Sequence, residues 1–306
     1  MNYESPVREF RAARRGATIE EILGRLTGRS SDLLCYEEVR DLLHAKTTYQ
    51  VEHREIPLGA IAGSVERCTD YTRGFLPRKD SDQSRWIGIK QALASSHQLP
   101  PIQVYQVGHV YFVADGNHRV SVAKQLGRIH IEAQVLLVRT RVPLSPGVQP
   151  DELALQGEYA RFLERTGLDE VLPQADLRVT AKGQYEAIEG QIKAHRTFLK
   201  VDLRRRVSYQ EALVSWYDRV YLPLLQEIRE CGVLREFPGR TETDLYLWLC
   251  AHRMTLEEVL GTEIAVEMAA GDLVRQFSPR PLRVLARLRI RLAQALALRQ
   301  LLPFRT

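Results

Sequence analysis

The sequence predicts an α+β fold in which a small domain of mixed strands and helices precedes a mainly α-helical domain. Two runs rich in β-branched and aromatic residues, 102–107 and 110–113, flank Gly108-His109 at the spacing of a hairpin turn. After residue 153 the apolar residues recur at helical spacing. Residues 141–152 lie between these regions and hold three prolines and a glycine, which is typical of a linker.

The composition is that of a soluble globular protein. Of 306 residues, 44% are hydrophobic and 26% are charged, which excludes disorder and fibrous repeats and favours two domains. The sequence has neither the run of about 18 apolar residues that a membrane-spanning helix needs nor an apolar signal segment at its start. The four cysteines are widely spaced and predict neither a disulfide framework nor a structural metal site: Cys35, Cys68, Cys231 and Cys250. We therefore expect a cytoplasmic protein.

Positive charge is concentrated at the C-terminus. The formal net charge is +5, and eight of the 43 basic residues lie among residues 275–306, which contain no acid. The preceding 274 residues hold 35 basic and 38 acidic side chains. An anionic partner is therefore expected at the tail rather than elsewhere on the surface.

Periodicity and composition divide the sequence into five predicted segments. They are a helical N-terminal segment (1–50), the mixed domain (51–140), the linker (141–152), the helical domain (153–272) and a basic amphipathic tail (273–306).

Local signals predict where several helices begin. In the N-terminal segment, Asp32 is expected to cap a second helix, and Asp80-Ser81-Asp82 is expected to cap a helix in the mixed domain. The first helix is expected to bury an apolar face formed by Ile19, Ile22, Leu23 and Leu26.

In the helical domain, Ser208 with Glu211 forms a predicted capping box, Pro223 should kink the helix, and Gly232 should end it. Two further helices are expected to start at Thr241 and Thr255.

The stretch Asp115-Gly116-Asn117-His118-Arg119 carries the clearest chemistry. A predicted strand ends there, glycine and asparagine permit a tight turn, and a short helix follows. His118 and Arg119 then lie in the first helical turn, where free backbone N–H groups and the helix dipole attract an anion. Arg119 offers a planar charged fork for phosphate, and Asp115 could hold Mg²⁺ or a ribose hydroxyl. The structural alternative is that Asp115 caps the helix while Arg119 pairs with Asp115 or Glu132.

The order of these elements resembles the ParB N-terminal/sulfiredoxin-like domain over residues 52–138. The resemblance includes Ile56-Pro57-Leu58, Leu99-Pro100-Pro101, the hairpin, the turn at 115–119 and Gly127 before a last strand at 129–138. It implies that the mixed domain has this fold and that a nucleotide phosphate is bound at the turn.

The branches of that superfamily differ in the motif at this turn. Against the ParB motif Gly-Glu-Arg-Arg, Gly116 and Arg119 match the first and last places, which implies a pocket for the triphosphate of CTP. Against the sulfiredoxin motif Gly-Gly-Cys-His-Arg, Asn117 stands where the catalytic cysteine would be, so reduction of sulfinic acid is not expected. Against the free-serine-kinase motif Asp-Gly-His-His-Arg, all but Asn117 match.

The resemblance implies a nucleotide-responsive regulator of the ParB-like type, a bacterial transcriptional regulator with DNA as an expected partner. Its cofactor would be a nucleoside triphosphate, CTP or ATP, with Mg²⁺ at Asp115, and its phosphate-binding residues would be those at 115–119. The alternative is an ATP- or ADP-dependent small-molecule phosphotransferase of the free-serine-kinase type, with Asp115 or Glu66 as base or metal ligand. A nuclease is disfavoured because the sequence shows no carboxylate cluster for two metals.

Some features depart from the ParB pattern. The Asn-Pro-x-Gln-Pro-Arg segment is missing after the first strand, and Arg67, Arg73 and Arg78 are the arginines that could serve the same pocket. No helix-turn-helix is evident in residues 153–272, so recognition of a specific operator is not expected.

The tail from Pro281 to Leu302 is predicted to form an amphipathic helix. Arginines recur at i,i+4 spacing on one side, and leucines occupy another. Such a helix could lie on DNA phosphates or, as a weaker alternative, on an anionic membrane surface. Docking of its leucines on the helical domain is equally consistent with the pattern, and a homodimer is left open. The candidate contacts are Arg283, Arg287 and Arg291.

Overall fold

The structure is a computed structural model that describes residues 6–94 and 99–284. The chain forms two compact units, a first unit of residues 1–161 and a second unit of residues 162–306. The strands are β1 (Leu34–Cys35), β2 (Lys46–Pro57), β3 (Ile61–Ser64), β4 (Ile102–Val107), β5 (Val110–Asp115) and β6 (His130–Arg139). The helices are α1 (Pro6–Thr27), α2 (Tyr36–Leu42), α3 (Gln83–Ala94), α4 (Asn117–Gln125), α5 (Pro150–Thr166), α6 (Leu168–Val171), α7 (Gln184–Asp202), α8 (Tyr209–Trp216), α9 (Leu222–Glu230), α10 (Val233–Glu236), α11 (Glu242–Leu260) and α12 (Val266–Phe277). The predicted α+β class is confirmed.

The strands form one mixed sheet in the order β1-β3-β5-β4-β6-β2. β4 and β5 are the antiparallel hairpin that the sequence predicts, and they lie at the centre of the sheet. β3 runs parallel to β5, and β6 runs parallel to β4. Ile102, Val104 and Val113 are buried in the core of this unit. The hairpin therefore fixes the point at which β5 ends and α4 begins.

The helix α4 packs its apolar residues into the first unit on two sides. Val120 and Ala123 join the core beside the sheet, and Val122 packs with Phe10 and Trp86. Gly127 follows the helix with φ +69° and donates its N–H to the Lys124 carbonyl at 3.0 Å, so the predicted glycine end is confirmed.

The N-terminal segment differs from the predicted run of helices. Asp32 does not cap a helix but forms an isolated bridge with Thr72, and Leu34–Cys35 pairs with β3. β2 starts at Lys46, within the segment predicted as helical, and pairs with β6. The apolar spacing of this segment predicts helix, but residues 34–35 and 46–57 form strands instead. Their backbone N–H and C=O groups form hydrogen bonds with distant strands of the sheet.

The apolar face predicted for α1 is not its buried face. Ile19, Ile22, Leu23 and Leu26 are each more than half exposed. The buried residues are Phe10, Ala13 and Ala17, because the first half of α1 docks through Phe10, whose ring lies 5.7 Å from that of Trp86.

Cys35 and Cys68 form a disulfide, so the expectation that the cysteines are unpaired is wrong for this pair. They are 33 residues apart in sequence. The pairing of β1 with β3 brings Cys35 beside the loop that follows β3, which carries Cys68. Cys231 and Cys250 are free thiols. Because disulfides persist mainly in oxidising compartments, the cysteine pattern no longer supports a cytoplasmic location.

The segment predicted as a linker packs on the first unit. Val142, Leu144 and Val148 are buried, and the Leu144 carbonyl accepts the backbone N–H of His109 at 2.8 Å. α5 begins at Pro150, inside the predicted linker. Its prolines and glycine permit the turns, while its apolar residues hold the segment against the hairpin.

The second unit confirms most of its predicted helix signals. Capping boxes are present at Ser208 and Thr241, and Gly232 follows α9 with φ +65°. A π-helical turn, Tyr217–Tyr221, precedes the helix that contains Pro223. The predicted helix start at Thr255 is wrong, because α11 runs through it and its hydroxyl donates to the Ala251 carbonyl at 3.0 Å. In the described part of the chain, no helix has the length and hydropathy that crossing a membrane requires.

Replacing Gly63 should destabilise the first unit. A Cβ at this position would lie 2.2 Å from the Leu34 carbonyl oxygen and 2.5 Å from Cδ1 of Phe112. We expect Gly63→Ala to lower the free energy of unfolding by about 1–3 kcal/mol, because overpacking forces the strands apart. Urea denaturation measures it. Gly59→Ala is the control, since its Cβ would meet nothing within 4 Å; equal stability of the two variants would contradict the prediction.

Candidate functional site

The site is built on the turn between β5 and α4. Gly116 has φ +108°, and a Cβ on it would lie 2.5 Å from Cγ2 of Ile102, so only glycine fits there. Gly116 is the N-cap of α4, and no side chain within the described residues caps the helix. The backbone N–H groups of the first turn therefore receive no cap from a described side chain, and anion binding there stays a prediction.

Arg119 is paired within the turn. Its Nη2 donates to the Asp115 carboxylate, and its Nη1 donates to the carbonyls of Pro100 and Pro101. The arginine side chain is only 12% exposed, whereas that of Asp115 is 61% exposed. The ion pair of the structural alternative is thus present, although Asp115 does not cap the helix. An incoming phosphate would have to replace Asp115 as the partner of this guanidinium.

His118 faces a different group of residues. Its Nε2 lies 3.0 Å from Oδ1 of Asp82, its Nδ1 lies 3.4 Å from Nη1 of Arg67, and its ring meets that of Tyr71 edge-on at 5.9 Å. We call Arg67, Tyr71, Asp82 and His118 the His118 cluster. The structure therefore divides the predicted motif, with His118 in this cluster and Arg119 beside Asp115.

Arg67 holds the His118 cluster together. Its Nη2 donates to the Asp82 carboxylate at 3.0 Å, its Nε donates to Asp70 at 2.7 Å, and its guanidinium lies 5.7 Å from the Tyr71 ring centroid. Lys79 lies 2.5 Å from the same Asp70 carboxyl group. Although burial acts to raise the pKa of Asp70, the hydrogen bonds from Lys79 and Arg67 lower it overall, so the carboxylate stays ionised.

Burial controls the protonation of His118 and Tyr71. It lowers the pKa of His118 below its ordinary value of 6.5, and the hydrogen bond to Asp82 offsets this only in part. Burial also raises the pKa of Tyr71, which keeps the phenol neutral. The cluster therefore places a neutral imidazole and a neutral phenol beside a carboxylate.

Three buried polar atoms at this site have no hydrogen-bond partner among the described residues. They are Oη of Tyr71, Oδ2 of Asp82 and Oδ1 of Asn117. The three residues are at most 5% exposed. Buried polar groups of folded proteins nearly always have a partner, so these three atoms retain hydrogen-bonding capacity for water or another polar group.

A cavity of about 350 Å³ opens beside Arg119. Arg119, Arg128 and His130 line it together with Glu55 and Glu132, so both signs of charge are present. Part of the cavity wall is apolar and is formed by Leu99, Pro100 and Ile102. The turn thus lies next to an open hollow in which a small polar molecule can reach Arg119.

Other residues expected at the site lie apart from it. Arg73 donates to the Val148 carbonyl at 2.5 Å, and Arg78 contacts the carboxylates of Asp32 at 2.5 Å and Glu21 at 2.8 Å. Glu66 is exposed on the loop after β3 and makes no hydrogen bond or ion pair with a described residue. Of the three arginines that the sequence offered for the pocket, Arg67 is the one that contacts the motif.

The donor set for a metal is sparse. Within residues 6–94 and 99–284, no group of three His, Cys, Asp or Glu is placed to hold a metal ion. Asp115 offers an exposed carboxylate, and Mg²⁺ is often held by one or two carboxylates together with substrate phosphates. Asp115 therefore fits Mg²⁺ only when phosphate oxygens and waters complete the coordination.

Sequence reasoning missed Asp82 and Tyr71. Asp82 is predicted as a helix cap, but it belongs to a short 3₁₀ turn before α3 and its side chain is buried against Arg67 and His118. Tyr71 stands in a loop with no pattern around it. A carboxylate ahead of a helix normally signals a cap, so nothing in the local sequence distinguishes this one.

The basic tail is described only in part. Arg283 has a side chain that is 53% exposed, and its Nε lies 3.7 Å from the Glu236 carboxylate. Arg287 and Arg291 lie outside the described residues. α12 crosses the predicted boundary at residue 272 and ends at Phe277.

Comparison with solved structures gives distant likenesses, among them a sulfiredoxin. The chain is similar to sulfiredoxin from Arabidopsis thaliana, with 21% identity over 28% of this chain and 83% of sulfiredoxin, and with a TM-score of 0.22. No protein-family model and no curated protein matches the chain. A likeness of this size carries no inference about activity, so the fold rests on the sheet itself.

Stability should fall in mild acid through His118. In the unfolded chain this side chain binds a proton near its ordinary pKa of 6.5. In the folded chain burial lowers the pKa of His118, so the proton binds only at lower pH. The free energy of unfolding should therefore decrease from about pH 7.5 to about pH 5.5, because the unfolded state binds more protons there. Urea denaturation across this range measures the slope, and His118→Gln should flatten it.

The control for this titration is His53→Gln, because His53 is an exposed side chain on β2. It should leave the pH dependence of the parent protein unchanged. An equally steep dependence in the His118 variant would show that the buried imidazole does not contribute.

Proposed function

We propose that this protein binds a nucleoside triphosphate, CTP or ATP, and that the nucleotide regulates its contact with DNA. The phosphates would lie at the N-terminus of α4, with Mg²⁺ between them and Asp115. The uncapped first turn behind Gly116 carries this proposal, because it presents backbone N–H groups and the positive end of the helix dipole beside Arg119.

The pairing of Arg119 is compatible with phosphate binding through an exchange of partners. The carbonyls of Pro100 and Pro101 hold one end of the guanidinium, so it stays in place when Asp115 moves away. Asp115 is mostly exposed and can turn towards Mg²⁺. A phosphate would then take the position of the carboxylate and accept hydrogen bonds from Arg119, for which its geometry is well suited.

The His118 cluster supports the turn from the other side. Arg67 and His118 both bind Oδ1 of Asp82, which fixes the imidazole, while Oδ2 of Asp82 is unpartnered among the described residues. Rigid support of this kind keeps a binding turn in one geometry. Nucleotide binding would act on the second unit and the basic tail through any difference in nucleotide affinity between two conformations.

The unpartnered carboxylate oxygen of Asp82 favours one alternative, a small-molecule phosphotransferase. A buried carboxylate beside a neutral imidazole could accept a proton from an acceptor hydroxyl. In that function Asp82 would join Asp115 and Glu66 as a candidate base.

Nucleotide binding should stabilise the protein in a way that depends on Asp115. At about 100 times its dissociation constant, ATP or CTP with Mg²⁺ should add about 2.7 kcal/mol, seen as a rise in melting temperature. Asp115→Asn should abolish the extra stabilisation that Mg²⁺ gives, and it should strengthen nucleotide binding without Mg²⁺, because Arg119 then has no anionic partner to release. Arg119→Gln should weaken nucleotide binding by about tenfold or more, both with and without Mg²⁺.

Asp176→Asn is the matched control, because it breaks an exposed ion pair with Arg178 in the second unit. It should behave as the parent protein does. The proposal fails if ATP, ADP, CTP and GTP all leave the melting temperature unchanged, or if Asp115→Asn retains the full effect of Mg²⁺. Labelled phosphate appearing on serine or another small acceptor would identify the phosphotransferase instead.

DNA binding through the tail should depend steeply on salt. For every DNA phosphate that the tail no longer neutralises, the slope of log K against log salt should flatten by about 0.9, because one fewer counterion is released. We expect this flattening for a triple change to glutamine at Arg283, Arg287 and Arg291. The same change at the exposed Arg204, Arg205 and Arg206 is the control. The membrane alternative would be favoured if the parent protein bound anionic vesicles but not DNA, and if the triple variant lost the vesicle binding.

A further inference from the structure

The second unit contains a cavity that the proposed nucleotide site does not use. Its volume is about 730 Å³, within the range of about 300–1,000 Å³ for sites that bind small molecules. It lies among α10, α11 and α12. We call it the aromatic cavity, after Phe237, Trp248 and Phe277, which line it together with His252 and Leu273.

The aromatic side chains around the cavity are arranged edge to face. The ring of Phe237 meets that of Trp248 at 5.8 Å and 80°, and the ring of Phe277 meets that of His252 at 5.7 Å and 87°. Phe237 and Leu273 are buried, whereas Phe277 is 56% exposed. A flat apolar molecule in the cavity would contact several rings and remove the Phe277 ring from water.

The charge at the cavity is positive. The Arg240 guanidinium lies 5.0 Å from the centroid of the Trp248 ring, and its Nη1 donates to the Thr180 hydroxyl at 2.6 Å. It forms no direct ion pair with a carboxylate in the described part of the chain, unlike Arg229, which pairs with Glu242. Its remaining N–H donors are therefore available to a ligand.

Among the described residues that line the cavity, none is acidic. The carboxylate of Asp244 is connected to Arg240 through the Thr180 hydroxyl, which donates to Oδ2 of Asp244 at 2.8 Å, but Asp244 does not line the cavity. The carboxylate of Asp272 lies close by, but it contacts Nε2 of His252 at 2.9 Å and also pairs with Arg275. An apolar cavity with one available guanidinium at its side suits an anion that carries an apolar body.

We propose that the aromatic cavity binds a small aromatic organic acid. Its flat body lies among Trp248, Phe277 and Leu273, and its anionic group accepts hydrogen bonds from Arg240. The cavity shares no residue with the turn at 115–119, so a test of this site does not depend on whether the protein binds a nucleotide.

The test uses two fluorescent probes on the full chain. One is 8-anilinonaphthalene-1-sulfonate, an aromatic anion, and the other is its uncharged parent, N-phenyl-1-naphthylamine. Both should bind saturably, with one probe per chain. Arg240→Met should weaken the sulfonate by about tenfold or more, because it removes a charge-assisted hydrogen bond, and should leave the uncharged probe within about twofold.

Two further variants make the result specific to this cavity. Ala251→Phe fills it from the exposed side of α11 and should weaken both probes, while melting curves show that the variant is folded. Arg235→Met removes an exposed charge on α10 outside the lining and should change neither probe. The site is refuted if neither probe saturates, if both arginine variants bind the sulfonate equally, or if Ala251→Phe binds both probes as tightly as the parent protein.

Discussion

The left-handed turn at Gly116 is the constraint on which the candidate site depends. Ile102 of the neighbouring strand lies so close that a Cβ does not fit, so the chain passes from β5 into α4 without a capping side chain among the described residues. Successive residues of a helix project about 100° apart. His118 and Arg119 therefore point to different surroundings, one towards Asp82 and the other towards Asp115. The proposed phosphate site and the buried cluster consequently share one turn.

The His118 cluster is costly unless something completes it. A buried charge is tolerated when partners satisfy it, and Arg67 does this for one oxygen of Asp82. The other oxygen, together with Tyr71 and Asn117, lacks a partner within the described chain. Each such atom costs about 1–3 kcal/mol in a folded protein. A ligand or a water molecule that supplied the missing hydrogen bonds would recover this energy.

The two proposed sites would bind different kinds of anion. At α4 the attraction comes from backbone N–H groups and the helix dipole, which favour compact anions such as phosphate. In the aromatic cavity, burial of apolar surface dominates and Arg240 adds a single charge. A nucleotide regulator with a second site of this kind could respond to two unrelated small molecules. This difference in ligand follows from composition, since the first site is polar and most of the residues that line the second are apolar.

The sequence by itself determined the features that depend on neighbours in the chain. These include the hairpin, the turn at Gly116, the glycine after α4 and the capping boxes at Ser208 and Thr241, because a turn or a cap is complete within about five residues. Only the tertiary structure decided which distant residues meet. His118 binds an aspartate 36 residues before it and an arginine 51 residues before it, and Cys35 pairs across 33 residues. Such contacts depend on strand order and packing, which leave no periodic signal in the sequence.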